Sequence, residues 1–581
     1  MKLLFVFWAF CFCAVSCCGL DREAFTFTQY HLNVRIEPEQ QRLAVRGNIM
    51  LRNDSTSPQR HGVLQISSTL SWRSIRSEEK ALQFVAQPYA SDIDHTGELS
   101  EAIVTLPAEI PPKGTLALEI AYEGTVPLDT TRLTRIGTPK EVASHTDWDQ
   151  IGQSFTAVRG VGYVAWYPLA IESANLSEEN SVFEAIGRWK ARESESDMQL
   201  EINYSPANVE GSPVLLCNGK SPTTGKKENA NEFLAIKCSF GPIGATVPAF
   251  AASNYDTFAG PALRVYHLPQ HKSEAESYSK MAEKVVPLVT DWFGALREKA
   301  DVMELPDPGE APFESGRLLL TPLRDDHPKF VQMTLAHELT HAAFFSPRPW
   351  IYEGLAHFAQ ALYRERQDGR QAALDYMGLH RAALLQAETP SPSTTVSSSS
   401  SSKADLSNPL GLQPLITTFE EAFYRSKAAY VWWMLRDMIG DDTLKKALAG
   451  YQPEQDREPN YVQHLIEVHA KRDLGWFFDD WLYHDRGLPD FRVRSVYPSK
   501  TSLGGYLVTI TVENLGGAGA EVPVTLRIDG GEVTKRLEVR GQATGVIRIE
   551  VPSPPQEVIV NDGSVPETDM TNNTFKITGL G

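Results

Sequence analysis

Two histidines and a glutamate near the middle of the chain have the types and spacing needed to activate water on a metal ion. His337 and His341 are four residues apart, and Glu338 directly follows the first histidine. Residues four apart share one face of a helix, so both imidazoles can reach the same cation. Neutral imidazole suits Zn²⁺, which lowers the pKa of a water molecule toward about 7, and Glu338 can then accept the proton. The alternative is a helix that carries two surface histidines.

A third ligand is predicted a short distance after the second histidine. Residues 342–352 include Pro347 and Pro349, which end the first helix and favour a reversal of the chain. Glu353 then lies near the start of a second helix, from which it can approach both imidazoles. Two histidines, one glutamate and an open position form a catalytic zinc site. The alternative for Glu353 is a solvated carboxylate that is stabilised by the helix dipole.

The elements around these residues are predicted to be mainly helical. Residues 276–296 have helical spacing, and a strand-like run at 318–321 precedes the first metal helix. The predicted helices cover 327–345, 350–367, 371–387, 419–439, 443–449 and 460–470. A serine-rich stretch at 388–408 interrupts them, and its composition predicts a disordered surface insertion.

Alternating patterns on both sides of the helical region predict β domains. Short strands broken by turn residues fill 25–255 and indicate one large antiparallel β domain. Alternation returns from residue 491 onward and predicts a small β-sandwich. The fold class is therefore multidomain α+β. The predicted domains are a signal peptide at 1–19, a β domain at 21–257, a catalytic domain at 258–490 and a C-terminal sandwich at 491–581.

The N-terminal segment, the cysteines and the net charge indicate where the protein is located and which partners are unlikely. A short apolar run after Lys2 predicts a signal peptide, so we expect an exported protein that is periplasmic, secreted or lipid-anchored. Cys17 stands in a lipoprotein-like box, and a lipid there is the predicted route to a membrane. Cys217 and Cys238 lie on neighbouring predicted strands, which suggests a disulfide. With 55 basic and 73 acidic residues the net charge is −18, which disfavours nucleic-acid partners.

The metal-site segments resemble the gluzincin metallopeptidases. The H-E-L-T-H run at 337–341 and the W-x-x-E-G-x-A pattern at 350–356 are similar to the aminopeptidase N and leukotriene hydrolase family, or to its short-loop relatives. Segments 30–53, 248–250 and 481–490 resemble other parts of that family. The resemblance implies an N-terminal β saddle, a thermolysin-like catalytic domain and one zinc ion per chain.

The resemblance also implies two further site residues. In that family a Gly-x-Met-Glu-Asn strand supplies a glutamate that binds the α-amine of the substrate. Segment 311–316 stands in that place, and Glu314 matches, although the glycine, methionine and asparagine are absent. Segment 422–428 resembles the family's Tyr-x-Lys-Gly run with one extra residue. Tyr424 is the implied hydrogen-bond donor to the oxyanion, and Tyr430 is its competitor.

These observations predict an exported zinc peptidase that hydrolyses peptides or proteins, with aminopeptidase-like activity. An endopeptidase of the same fold is one alternative. Another is an exported binding protein that retains a structural or vestigial zinc site, and a third is a hydrolase of non-peptide substrates such as epoxides. The sequence leaves side-chain specificity and oligomeric state open.

Overall fold

The computed structural model describes residues 20–178, 181–205, 213–220, 226–227, 234–324, 327–387, 414–502 and 504–578. The predicted signal peptide, with Cys17, and the predicted serine-rich insertion lie outside these residues. Among the helices within these ranges, none is both long and apolar enough to cross a membrane.

The first part of the chain folds mainly as β-sheets, as its alternation predicts. Its strands are β1 (Phe25–Glu37), β2 (Arg42–Asn53), β3 (Gln59–Ser67), β4 (Leu70–Ser77), β5 (Lys80–Ala81), β6 (Phe84–Ala90), β7 (Glu98–Ile110), β8 (Thr115–Thr125), β9 (Gln150–Ile151), β10 (Phe155–Val158), β11 (Asp197–Tyr204), β12 (Val214–Cys217), β13 (Lys226–Lys227), β14 (Leu234–Phe240) and β15 (Phe250–Ser253). The region also contains helices that its strand-like pattern does not predict: α1 (Thr131–Arg135), α2 (Lys140–Thr146) and α3 (Ser181–Arg192).

These strands form three sheets. The largest has eight strands in the order β13-β14-β11-β1-β2-β8-β4-β5, and the others are β12-β15-β10-β9 and β3-β7-β6. The prediction of an antiparallel domain is wrong at one pair, because β1 and β11 run parallel. Parallel neighbours need a long connection, and the chain between these two strands passes through nine other strands and all three helices.

The predicted disulfide between Cys217 and Cys238 is confirmed. Cys217 ends β12 and Cys238 lies in β14, so the bond joins two different sheets. The two Cα atoms are 6.6 Å apart, within the range that a disulfide can bridge.

Replacing both cysteines with serine is expected to lower the free energy of unfolding by about 3 kcal/mol. The crosslinked residues are 21 apart, and opening such a loop raises the entropy of the unfolded chain. Denaturant unfolding of the parent and the double variant measures the difference. A reductant should shift the parent to the midpoint of the variant and leave the variant unchanged. Equal midpoints without reductant would contradict a stabilising bond.

The middle of the chain combines a mixed sheet with the predicted helices. Its strands are β16 (Asp256–Ala259), β17 (Leu263–His267), β18 (Ala300–Glu304), β19 (Phe313–Ser315) and β20 (Leu318–Thr321). They lie in the order β16-β17-β18-β20-β19, with β19 antiparallel at one edge. Only β20 is predicted from the sequence, because it is a continuous apolar run, whereas the other four strands are three to five residues long and have no such run.

The helices of this region correspond to the predicted ones with ends shifted by a few residues, except for the short last helix, Gly475–Phe478, which the sequence does not predict. They are α4 (Lys272–Phe293), α5 (Pro328–Ala343), α6 (Pro349–Asp368), α7 (Arg370–Ala387), α8 (Ala428–Ile439), α9 (Asp441–Ala449), α10 (Tyr461–Ala470) and α11 (Gly475–Phe478). Two π-helical turns, Ala422–Lys427 and Asp479–Tyr483, precede α8 and follow α11. The first of these turns replaces the start of the predicted helix at 419–439.

The last part of the chain forms two small sheets over one core. Its strands are β21 (Phe491–Lys500), β22 (Tyr506–Asn514), β23 (Ala520–Ile528), β24 (Gly531–Val539), β25 (Thr544–Val551), β26 (Pro555–Val560) and β27 (Thr574–Lys576). The sheets have the orders β21-β22-β25 and β24-β23-β26-β27. Each sheet contributes fully buried residues, such as Ile510 in β22 and Val524 in β23, to a shared apolar cluster. This is compatible with the predicted sandwich, and the domain boundaries themselves stay predictions.

A buried ion pair joins the first π-helical turn to the segment that follows the second. Lys427 donates to Asp485, and both side chains are fully buried. The backbone N–H of Gly487 donates to the same carboxylate at 3.1 Å. The pair therefore anchors the π-helical turn Ala422–Lys427, which also contains Tyr424.

Lys427→Met alone is expected to lower the free energy of unfolding by about 3–5 kcal/mol, because it leaves the carboxylate of Asp485 buried without its cation. The double variant Lys427→Met/Asp485→Asn removes both charges and should be much less destabilised. Thermal and denaturant unfolding of the two variants measures the difference. A single variant that is no less stable than the double variant would contradict the expectation.

Candidate metal centre and active site

Helix α5 holds the H-E-L-T-H run in the interior of the protein. The helix begins at Pro328, directly after His327, whose ring nitrogen accepts the N–H of Lys329. From Leu335 to Ala343 every residue is buried, and Leu335 and Leu339 belong to the main apolar core. The alternative of two surface histidines therefore does not fit, because a surface helix would expose one side of this run.

The chain reverses after α5 and brings a third side chain to the two histidines. Helix α5 ends at Ala343, and α6 begins at Pro349, which occupies the first helical position. Glu353 follows in the first turns of α6. The Nε2 atoms of His337 and His341 are 3.0 Å apart, and the Glu353 oxygens lie 3.6 and 3.5 Å from them. The structure thus brings together the three predicted ligands.

The spacing of the three side chains is close to what one tetrahedral cation needs, and one ligand atom from each lies within 4.8 Å of the others. Bonds of about 2.0–2.1 Å to zinc place neighbouring tetrahedral ligand atoms roughly 3.3–3.4 Å apart. The two Nε2 atoms are 3.0 Å apart, and each has one oxygen of the Glu353 carboxylate at a comparable distance, Oε2 at 3.6 Å from His337 and Oε1 at 3.5 Å from His341. Among the residues that the structure describes, this is the one cluster of three or more histidine, cysteine or acidic side chains close enough to hold a metal ion.

The protonation of the cluster also suits a metal. Burial lowers the pKa of His337 to about 4 and that of His341 to about 3, so both imidazoles are neutral near pH 7. Burial alone would raise the pKa of Glu353, but Arg425 and the two histidines outweigh it and hold that pKa at about 2. Two neutral imidazoles and one carboxylate are the forms that bind zinc.

Glu338 is fully buried beside the cluster. Neither of its carboxylate oxygens has a hydrogen-bond partner among the described residues. Burial raises the pKa of Glu338 well above its usual value, and the charges of Glu314 and Glu353 raise it further. A buried carboxyl group without partners costs stability, and such groups with strongly shifted pKa values concentrate at functional sites.

Glu314 lies at the edge of the same cluster. It stands in the middle of edge strand β19, and its Oε1 atom is 3.6 Å from Nε2 of His337. Burial raises the pKa of Glu314, although Arg425 opposes the shift. The residue also lines the cavity beside the cluster. Its predicted contact with a substrate amine stays a prediction.

Tyr424 lines the cavity, and its competitor does not. Its hydroxyl accepts a hydrogen bond from Nζ of Lys190 at 3.2 Å and donates to Oε1 of Glu421 at 3.3 Å. Tyr430 is fully buried and donates to the carbonyl of Met377 at 2.8 Å. Tyr424 lies in the π-helical turn, whereas Tyr430 lies in the regular helix α8. Tyr430 is therefore a packing residue, and the oxyanion role of Tyr424 stays a prediction.

A cavity of about 860 Å³ connects the metal cluster to residues from the first part of the chain. Its lining includes Glu314, Glu353 and Arg425 from the middle of the chain, and Phe183 and Lys190 from α3. Ligand-binding cavities commonly measure about 300–1,000 Å³, so this one has the size of a binding site.

Two cations of the site were not predicted. Arg425 follows Tyr424 directly, and its Nε atom lies 3.5 Å from Glu353. The only hint in the sequence was that Arg425 directly follows Tyr424, which was itself a candidate site residue. Lys190 lies on α3, in a region predicted to contain only strands. The buried positions Val182, Ala185 and Trp189 have helical spacing and could have revealed that helix.

A second layer of polar groups surrounds His337. The ring of His357 is centred 4.9 Å from that of His337, and its Nδ1 atom lies 2.9 Å from Oε1 of Gln360. Gln360 donates to the carbonyl of Met333 at 3.1 Å and accepts from Tyr376 at 2.7 Å. Both amide atoms of Gln360 are thus engaged by neighbouring residues of this layer.

Comparison with known proteins gives a weak structural likeness. No family model and no curated protein matches this sequence. One similar solved structure is an M1 zinc metallopeptidase mutant from Deinococcus radiodurans, bound to a Tyr-Ser-Ala substrate. The identity is 16% and the TM-score 0.44, over 81% of this chain and 96% of that chain. A likeness of this degree assigns no activity to this chain.

Proposed function

We propose that this chain is an exported, zinc-dependent peptidase. The observation that carries the proposal is the convergence of His337, His341 and Glu353 within 3.6 Å of one another, beside the buried and unpartnered Glu338. Three such ligands leave one position open, as a catalytic zinc site requires. The adjoining cavity offers room for a short peptide segment.

Each side chain of the site has a defined part in the proposed reaction. Zinc, when bound, would supply Lewis-acid polarisation of the attacking water and of the scissile carbonyl. Glu338 accepts a proton from the water and passes it to the leaving amine. Tyr424 donates its hydroxyl hydrogen to the carbonyl oxygen as negative charge develops there. Arg425 keeps Glu353 ionised.

The proposal includes an aminopeptidase-like specificity, and Glu314 supports it. A carboxylate that lines the cavity 3.6 Å from a metal ligand can anchor the free α-amine of a peptide beside the scissile bond. If Glu314 does not bind an amine, the same machinery acts as an endopeptidase. The binding-protein alternative is less favoured, because a structural zinc site has no use for a buried base such as Glu338.

Incubation with a mixed peptide library tests the proposed function. The zinc-loaded protein should cleave peptides, a chelator such as 1,10-phenanthroline should stop cleavage, and added zinc should restore it. Matched libraries with free and acetylated N-termini separate the two peptidase types. Loss of single N-terminal residues from free peptides alone indicates an aminopeptidase, and internal cuts in both libraries indicate an endopeptidase. A zinc-loaded protein that cleaves neither library would overturn the proposal.

A further inference from the structure

The side chain of Lys190 reaches from α3 to Tyr424 in the π-helical turn Ala422–Lys427. Lys190 lies near the end of α3, and its side chain is only 12% exposed. Its Nζ atom lies 3.2 Å from the Tyr424 hydroxyl, 3.9 Å from Oε1 of Glu421 and 5.4 Å from the centre of the tyrosine ring. These contacts join parts of the chain that are 234 residues apart.

The backbone around Lys190 is fixed by close packing. Trp189 is fully buried and packs against Tyr167 in the apolar core of the β region. A Cβ atom at Gly244 would lie only 2.3 Å from the carbonyl oxygen of Lys190, so only glycine allows the neighbouring loop to approach α3 this closely. The end of α3 is thus held on two sides, and this restricts where the ammonium group can point.

The hydrogen bond to Lys190 determines what the Tyr424 hydroxyl can do. A phenol has one hydrogen to donate and can accept through its oxygen. Because the ammonium of Lys190 has only hydrogens to give, it occupies an acceptor position and leaves the phenol hydrogen for another partner. That hydrogen now points to Glu421 at 3.3 Å, a long bond to a side chain that is 48% exposed. A substrate oxygen can replace such a partner at little cost.

The positive charge of Lys190 also makes the Tyr424 hydroxyl a stronger hydrogen-bond donor. Burial raises the pKa of Tyr424, while Lys190 and Arg425 act in the opposite direction. A cation beside a phenol favours the build-up of negative charge on its oxygen, so the O–H group donates more strongly to an oxyanion. Arg425 differs from Lys190 in geometry, because its nearest charged partner is Glu353.

We propose that Lys190 is a positioning residue for the reaction, which holds Tyr424 with its hydroxyl hydrogen free for the substrate oxyanion. The inference rests on the proposed function and adds to it a contribution from the β region of the chain. Lys190 acts through Tyr424 and not on the substrate. Its loss should therefore affect the transition state more than the binding of substrate.

A double-mutant cycle on the zinc-loaded protein tests this coupling. Tyr424→Phe is expected to lower kcat about 100-fold, as for the loss of one oxyanion donor. Lys190→Met should lower kcat about tenfold with little change in KM, as outer partners of active-site groups do. The double variant should match Tyr424→Phe alone, because Lys190 has nothing left to position. Lys190→Arg keeps a cation and should retain most of the activity.

Two further measurements separate positioning from mere folding. The affinity for a zinc-binding phosphinic peptide, which mimics the tetrahedral state, should fall in Lys190→Met, while zinc content stays equal to that of the parent. The affinity for an unreactive peptide, measured in the Glu338→Gln background, should not change. The inference would be overturned if the loss in kcat of the double variant equalled the product of the losses in Lys190→Met and Tyr424→Phe, because the two residues would then act independently. A Lys190→Met variant whose phosphinic-peptide affinity equals that of the parent would also overturn it. A parent that cleaves no peptide would instead overturn the proposed function and the inference with it.

Discussion

Glu338→Gln is expected to abolish peptide cleavage while the protein keeps about one zinc per chain. The amide has nearly the same shape as the carboxylate but cannot accept a proton, and general-base catalysis contributes roughly 10²–10⁴-fold. Glu338 is not among the three side chains that converge as metal ligands, so metal binding should not need it. Cleavage rates and zinc content, both measured on the same preparations, check the prediction.

The stability of the same variant gives a second readout. Glu338 is fully buried with no hydrogen-bond partner on either oxygen among the described residues, so the neutral amide should not lower the melting temperature. Glu283→Gln, on the exposed side of α4, serves as the matched control and should leave both activity and zinc content unchanged. Cleavage by Glu338→Gln at the parent rate would show that another group is the base.

The second large effect is expected from the metal ligands themselves. His341→Ala and Glu353→Gln each remove one of the three converging atoms, and both should lose zinc on dialysis together with all cleavage. The parent should gain about 4 kcal/mol of stability at a zinc concentration 1,000 times its Kd, because zinc binds the folded state. The two variants should gain much less at the same concentration.

His469→Ala is the matched control for the histidine substitution. His469 is exposed on α10, so its loss should change neither zinc content nor the stabilisation by zinc. One zinc per chain in His341→Ala, with the stabilisation retained, would place the metal elsewhere in the chain and contradict the ligand set.

The residues of the metal cluster could be predicted because local rules place them. Four-residue spacing puts His337 and His341 on one helix face, and the prolines at 347 and 349 force the reversal that returns Glu353. Most helix bounds are predicted to within a few residues for the same reason, since periodicity and helix-breaking residues act locally; α8, however, begins nine residues later than predicted, and the short α11 is not predicted.

The features that could not be predicted depend on distant pairing. The parallel contact of β1 with β11 joins segments separated by most of the β region, and no local pattern records it. The short strands β16 to β19 gain their partners only within the mixed sheet. Lys190 meets Tyr424 across 234 residues, so its place in the site follows from the tertiary fold.

X-ray absorption at the zinc edge of the reconstituted parent tests the central claim most directly. Two imidazoles and one carboxylate, with a light atom in the open position, predict about four nitrogen or oxygen neighbours at roughly 2.0–2.1 Å, the multiple-scattering features of histidine and no sulfur. A spectrum with sulfur neighbours or without histidine features, or a chain that retains no zinc at all, would contradict the metal centre formed by His337, His341 and Glu353.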